Sequence, residues 1–407
     1  MESPFASLVG VAAIAFFVPF ALGFFPRLRI PAVVAELIAG IVFGPAILGW
    51  IRPTPVVTTM ASLGVAFLLF LAGMELDLDE LRGEPARKGG ATFGLAFLLA
   101  LAIAVPLGMS GRILSPLFVA IALSATSVGI IVPVLRDTGL LSSKAGQHVI
   151  AGGAVGEFAT IALLGVFFAT SGSSALAEAG LMVVLAASAL FVLWLLQKTS
   201  TWTPGRSILD RLDETTSLPR VRGAVLLVIG SATLALAFGF EAILGTFLAG
   251  IVFAILVRGD RNEERLRTRV EAIGFGFFVP IFFITSGLRF STQGLAGIQS
   301  LGLVALFAAI LLAVHLVPAL ILHTRGQGLR TATAIGLLQA TNLSFIVVAV
   351  EVGREIAKVK DVNGSALILA GLLSAVAFPA IAQALLGGAS DSSGPTASGS
   401  RDVREAF

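Results

Sequence analysis

SATSVGIIVP, at residues 124–133, sets Thr126, Ser127 and Gly129 inside an apolar run that closes at Pro133. QATNLSFIV, at 339–347, sets Gln339, Thr341, Asn342 and Ser344 in an equally apolar context. Alone, either segment reads as a continuous helix whose Ser and Thr side chains bond back to their own carbonyls. As a pair in one chain they read as two interrupted helices. Irregular backbone at membrane depth is tolerated only where it lines a cavity or is buried in protein.

Composition requires the membrane. The chain of 407 residues is 57% hydrophobic and 13% charged, with a mean hydropathy of +0.99; a soluble domain carries about 25% charged residues. The net charge of +3 therefore points to loop topology and not to nucleic acid. The absence of cysteine excludes disulfides and thiolate chemistry. The N-terminal MESPFASLVGVAAIAFF lacks a basic leader and reads as a first span.

Windows of about 20 apolar residues predict 13 spans: about 5–25, 30–50, 57–76, 90–109, 113–135, 144–170, 175–197, 222–239, 241–257, 272–288, 297–322, 329–352 and 364–387. Of the 27 Lys and Arg, 21 fall in loops after odd-numbered spans or in the C-terminal tail, and 6 in loops after even-numbered spans. The bias puts the N-terminus outside and the C-terminus in the cytoplasm of a multi-pass cell-membrane protein. Residues 198–221 read as a linker, 258–271 as a charge-laced helical loop segment, and 388–407 as a disordered cytoplasmic tail.

The halves repeat. AGIVF occurs at 39–43 and again at 249–253; FLLFLAGMEL (67–76) is echoed by PIFFITSGLRF (280–290); SATS at 124 is echoed by QATN at 339. The echoes keep their order, and the partners run in opposite directions across the membrane. This is the inverted-topology repeat of secondary transporters. Within a transmembrane domain over 1–387, repeat 1 covers about 30–170, span 7 and the linker about 171–221, and repeat 2 about 241–387.

Glu157 lies mid-span in KAGQHVIAGGAVGEFATIALLGVFFAT (144–170), among Gly152, Gly153, Ala154, Gly156 and Ala159. An intramembrane carboxylate costs roughly 2.5–3.5 kcal/mol on insertion scales and marks function by default; the bland alternative is a structural acid with a buried partner. Two broken helices crossing antiparallel would juxtapose positive N-terminal ends and negative C-terminal ends. Glu157 is the available acid. His315 is the basic side chain deep in a span, read either as a pH-sensitive charge or as a neutral hydrogen-bond donor to a broken-helix carbonyl. His148 and His323 read as interfacial.

With these residues in view, the chain resembles the monovalent cation:proton antiporter-2 family of sodium/proton and Kef-type potassium/proton exchangers. The resemblance runs from about 30 to 387. It rests on PAVVAELIAGIVFGPAILG (31–49), LGVAFLLFLAGMELDLDELR (63–82), ALSATSVGIIVPVLRDTGLLSSKAGQ (122–147), GTFLAGIVFA (245–254) and PIFFITSGL (280–288). It implies an all-helical antiporter fold, with a core of two crossed, broken helices, a separate scaffold and a homodimer. It also matches Glu36 to an acid common in the family, read as a structural hydrogen-bonding group or an ion-entry group. The chain departs from the pattern at Gly156-Glu157, where many members carry Asp-Asp or Asn-Asp. It departs at His315, where many carry lysine, and at 341–345, where an arginine-Gly-Glu-Phe stretch is usual.

The expected activity is exchange of Na+ or K+ for protons by alternating access, with no cofactor. One carboxylate binds a proton or a cation by turns, and desolvation strengthens its hold on the proton. Thr126, Ser127 and Asn342 would add hard oxygen ligands suited to an alkali cation. His315, Gln339, Thr341 and Ser344 would support the crossing. A single acid implies electroneutral exchange. Two other readings stay open: an organic-anion symporter on the same fold, needing a basic pocket from His315 and Arg289, and a non-transporting sensor or partner homologue. An enzyme is not expected, since no nucleophile–base pair or metal-binding motif is evident.

Overall fold

The structure is a computed structural model of the chain. It describes residues 4–24, 31–75, 83–127, 131, 135, 143–168, 218–238, 240–258, 260, 262–291 and 298–387. Span 7, nearly all of the linker, the C-terminal tail, Gly129 and Pro133 lie outside them.

The apolar runs form helices α1 (Pro4–Gly23), α2 (Ala32–Phe43), α3 (Pro55–Glu75), α4 (Gly83–Met109), α5 (Pro116–Ser124), α6 (Lys144–Phe167), α7 (Pro219–Ala237) and α8 (Ala242–Val257). The chain continues with α9 (Glu263–Ile273), a π-helical turn (Gly274–Phe278), α10 (Val279–Leu288), α11 (Ile298–Gln327), α12 (Leu329–Gln339), α13 (Ser344–Glu355) and α14 (Asp361–Gly387). Among the described residues nine helical stretches are long and apolar enough to cross a membrane. The protein is therefore a multi-pass, all-helical membrane protein.

Two boundaries differ from the sequence reading. Span 2 stops as a helix at Phe43, because Gly44 is extended, with ψ −179°. The residue before a proline is disfavoured in the helical region, and here Pro45 follows. The chain then turns back, with Trp50 N and Ile51 N both donating to Phe43 O at 3.0 Å. The charged segment at 258–271 is not a free-standing loop piece. Its helical part, α9, buries Leu266 and Val270 and runs through the π turn straight into α10.

Helix packing divides the described chain into two bodies. In the scaffold, α2 packs on α10 and α8 on α3, with α1, α7, α9 and the π turn around them. In the core, α4 packs on α5 and α6, and α11 on α12 and α14, with α13 against α5 and α14. These pairings carry the repeat. Span 2 meets span 10 as span 9 meets span 3, and span 4 holds spans 5 and 6 as span 11 holds 12 and 13.

The repeated AGIVF glycines make this symmetry. A Cβ on Gly40 would strike the Ile284 carbonyl and lie 3.0 Å from Gly287 Cα, and one on Gly250 would strike the Phe70 carbonyl. Gly73 reciprocates against Phe247 and Gly250, as Gly287 does against Leu37 and Gly40. Small residues let helix backbones approach this closely in a membrane, where apolar surface alone gives helices little reason to associate.

The bodies meet chiefly where α6 touches α8 and where α13 touches α10. At the first contact Phe158 faces Phe247, with ring centroids 6.1 Å apart. At the second, Arg289 reaches Glu351 at 2.7 Å.

Candidate functional site at the crossing of two interrupted helices

α5 opens with Ser115 as its cap, accepting from Phe118 N at 3.4 Å, and with Pro116 in its first turn. It ends after only nine residues, where Ala125 turns extended (ψ 157°). α12 ends at Gln339, and the helix resumes at Ser344. Each break exposes backbone groups that cannot stay unpaired in a membrane.

The two breaks satisfy one another. Thr126 Oγ1 donates to Gln339 O at 2.9 Å, Ser127 N to Thr341 O at 3.0 Å, and Asn342 Nδ2 to Ala122 O at 3.0 Å. α14 adds a fourth bond, from Asn342 N to Ser374 Oγ at 3.2 Å. Thr341 Oγ1 bonds back to Leu337 O at 3.2 Å, so the plain helical reading holds for that side chain and fails for Thr126.

α6, capped by Ser143 on Gly146 N at 3.0 Å, lies across both breaks. Gly156 faces Thr126: a Cβ there would sit 3.8 Å from Thr126 Oγ1. One turn earlier, Gly152 faces Gln339, and a Cβ there would run into the amide nitrogen of that side chain. The small-residue face of α6 thus touches each break in turn, with half-buried Glu157 beside it. Phe158, next in the chain, turns to Phe247 of the scaffold, which places Glu157 near the seam between the two bodies.

Among the described residues, three buried oxygens at the crossing have no hydrogen-bond partner: Ser127 Oγ, Gln339 Oε1 and Asn342 Oδ1. Buried polar atoms are nearly always paired, so a cluster of exceptions needs an explanation.

His315 is buried in α11, with Nδ1 3.0 Å from Leu311 O. The ring lies beside the backbone of Ser124 and Ala125, yet its Nε2 makes no hydrogen bond among the described residues. The ring thus stands at the carboxyl end of α5, where the helix dipole favours a donor or a cation.

Ser344 opens α13 at the edge of the break, and among the described residues no cross-helix hydrogen bond places its hydroxyl in the site. Glu36 lies in the scaffold, 3% exposed, with Oε2 lacking a partner. A structural hydrogen bond to that oxygen is not found among the described residues. His323 is buried against His148, ring centroids 5.1 Å apart, where α6 and α11 meet in the core. Arg289, offered for an anion pocket, is occupied by Glu351 at 2.7 Å and Thr58 at 3.3 Å.

The sequence reading missed Ser374 and the contact role of Gly152. Ser374 is one hydroxyl in the run LLSAVAF, and nothing local sets it apart. Gly152 had a signal, its place in the small-residue run before Glu157, but not a partner.

Residues 12–387 match the family model described as sodium/hydrogen exchanger, transmembrane. YjbQ of Bacillus subtilis (strain 168) is 28% identical over 390 residues, covering 92% of this chain and 62% of its own length. The Na(+)/H(+)-K(+) antiporter GerN of Bacillus cereus is 28% identical over 273 residues, 66% of this chain and 68% of its own. Cation/H(+) antiporter 18 of Arabidopsis thaliana is 28% identical, covering 85% of this chain but 45% of its own length. The chain thus spans about half to two thirds of the length of these relatives. The sodium proton antiporter MjNhaP1 of Methanocaldococcus jannaschii, a solved structure, superposes with a TM-score of 0.67 at 16% identity, covering 93% of this chain and 97% of that one. The fold is therefore the sodium/proton antiporter fold.

Proposed function

The chain belongs to the sodium/hydrogen exchanger family, and from that premise we propose that it exchanges a monovalent cation, Na+ or K+, for protons by alternating access, with Glu157 as the group both ions use. The observation that carries this reading is the mutual hydrogen bonding of the two helix breaks beneath α6. It brings unpaired oxygens and a membrane-buried helix carrying a carboxylate to one place, near the seam of two bodies.

One carboxylate holds a proton or a cation, not both. Loaded from one side, the core moves against the scaffold and releases its ion on the other; return requires the competing ion. Obligatory exchange follows without any further chemistry. The ions are substrates, and no resident cofactor is invoked. Position 156, a glycine, supplies no second acid, so the reading carries one cation per proton and electroneutral transport. Asn342 and Ser127 supply neutral oxygen ligands. Glu36 is assigned to ion entry from the scaffold side. The protein is further read as a homodimer with its N-terminus outside the cell.

A proteoliposome assay tests this. Each alkali cation is added against an imposed proton gradient, with the parent protein and with Glu157→Gln. The parent should collapse the gradient with at least one cation and the variant with none. Undiminished exchange by the variant would move the site elsewhere. The organic-anion alternative has lost Arg289 to its partners Glu351 and Thr58.

A further inference from the structure

We propose that Gln339 is a direct ligand of the transported cation and that Gly152 fixes where its amide oxygen stands; this rests on the crossing being the exchange site. The Gln339 side chain is 2% exposed. Its amide nitrogen is pressed against the backbone of α6 at Gly152, where any Cβ would collide with it. The amide oxygen, on the same carbon, has no hydrogen-bond partner. Ser127 Oγ and Asn342 Oδ1, also buried and without partners, belong to the two segments that bond each other across the crossing.

An acceptor held without a donor in low dielectric is strongly disfavoured. Three such oxygens around one crossing form the donor set of a hard cation. Thr126 Oγ1 is different. Its proton goes to the Gln339 carbonyl at 2.9 Å, so it ties the two breaks together and is not one of the three unpaired oxygens. Gly152 precedes Glu157 by five residues, about 7.5 Å along a helix axis. It is also about 140° around the helix, so Glu157 stands on the flank of the face that carries Gly152 and Gly156, nearer to the Gly156 end. The set therefore has one oxygen from α5's break, one from the last residue of α12 and one from the break that follows it. Ligand number and cavity size govern the choice between hard cations. The seat of the Gln339 amide thus becomes a determinant of ion preference.

The test measures exchange in proteoliposomes with Li+, Na+ and K+ for the parent, Q339M, Q339N, G152A and the double variant G152A/Q339N. Q339M keeps the volume and removes the oxygen. It should raise the half-saturating cation concentration about tenfold or more and change the order of preference among the three ions. G152A should do the same by displacing the amide, and the shorter side chain in G152A/Q339N should recover part of the loss. Q339N alone gives a second reading if Q339M fails to fold: half-saturation should rise by a larger factor than the maximal rate falls, and the order of preference among the three ions should change.

Unchanged half-saturation and ion order in Q339M or Q339N, with an active parent, overturn the ligand assignment; a water at that oxygen would give this result. A double variant no better than G152A overturns the part given to Gly152. A parent that exchanges no cation overturns the functional reading itself, which is a distinct outcome.

Discussion

On the proposed mechanism, Glu157 and its neighbour Gly156 set the charge carried per cycle. Gly156 has room: a Cβ there meets nothing closer than Phe93 at 3.7 Å. Gly156→Asp should fold and set a second carboxylate beside Thr126. Exchange should be insensitive to an imposed membrane potential in the parent and voltage-dependent in that variant, read as a potential-dependent rate in proteoliposomes. If the parent already responds to voltage, one-for-one exchange is wrong.

A different carboxylate sets a pH dependence of stability. Glu241, buried just ahead of α8, is pushed above its ordinary value of 4.5 by burial and then by the nearby charge of Glu355. A raised value in the folded state means that the folded protein binds the extra proton. Stability from this group is full below about pH 4.5 and is lost as pH rises through the raised value. Glu241→Gln should therefore raise the thermal midpoint in detergent at pH 8 and change it less at pH 5.

At the scale of elements, the glycine crossings between α2 and α10 and between α3 and α8 hold the scaffold together. Gly40→Ala, or Gly250→Ala at the equivalent position, forces a methyl into a facing carbonyl. Overpacking of this kind costs about 1–3 kcal/mol, measurable as a lower thermal midpoint. Gly230→Ala, within α7 and facing open space, is the control. Alanine is the better helix former there, by about 1 kcal/mol in water, so its midpoint should hold or rise. The helix breaks follow a related logic. Interrupted helices survive in lipid because each break pairs the loose groups of the other, so Asn342→Leu should damage both at once by freeing the Ala122 carbonyl and denying the Asn342 position its side-chain donor.

For the whole molecule, the two bodies must move against each other if access alternates. Thr58, Glu241, Arg289, Glu351 and Arg354 gather at one end of the helices. Glu84, Lys88, His148 and His323 gather at the other. At the first end Arg289 of the scaffold grips Glu351 of the core. The pair is partly exposed, at 30% and 11%, so it adds on the order of 1 kcal/mol or less to stability, and its main consequence is positional. The chain has no native cysteine, so the double variant R289C/E351C can be linked selectively by a bifunctional methanethiosulfonate reagent, which does not require the Cα separation of about 4.4–6.8 Å that a direct disulfide needs. Bridging should stop exchange, and reduction should restore it. Full exchange by the bridged protein would mean that the bodies do not part at this contact.

Composition, apolar run lengths and loop charges by themselves determined a polytopic helical membrane protein with an inverted repeat. The echoes AGIVF and SATS/QATN marked the positions where the repeats touch and break. These features are legible because a bilayer imposes span length and forbids unpaired backbone, constraints that act locally along the chain. Only the tertiary structure decided which oxygens the crossing leaves unpaired: Thr126 bonds across, Thr341 bonds back, and Gln339 is pinned over Gly152. It also decided that Ser374 serves Asn342, that His323 is buried against His148, and that Arg289 is occupied by Glu351. Those outcomes depend on which helix faces meet, and the partners lie as much as 231 residues apart in the chain, beyond the reach of any local pattern.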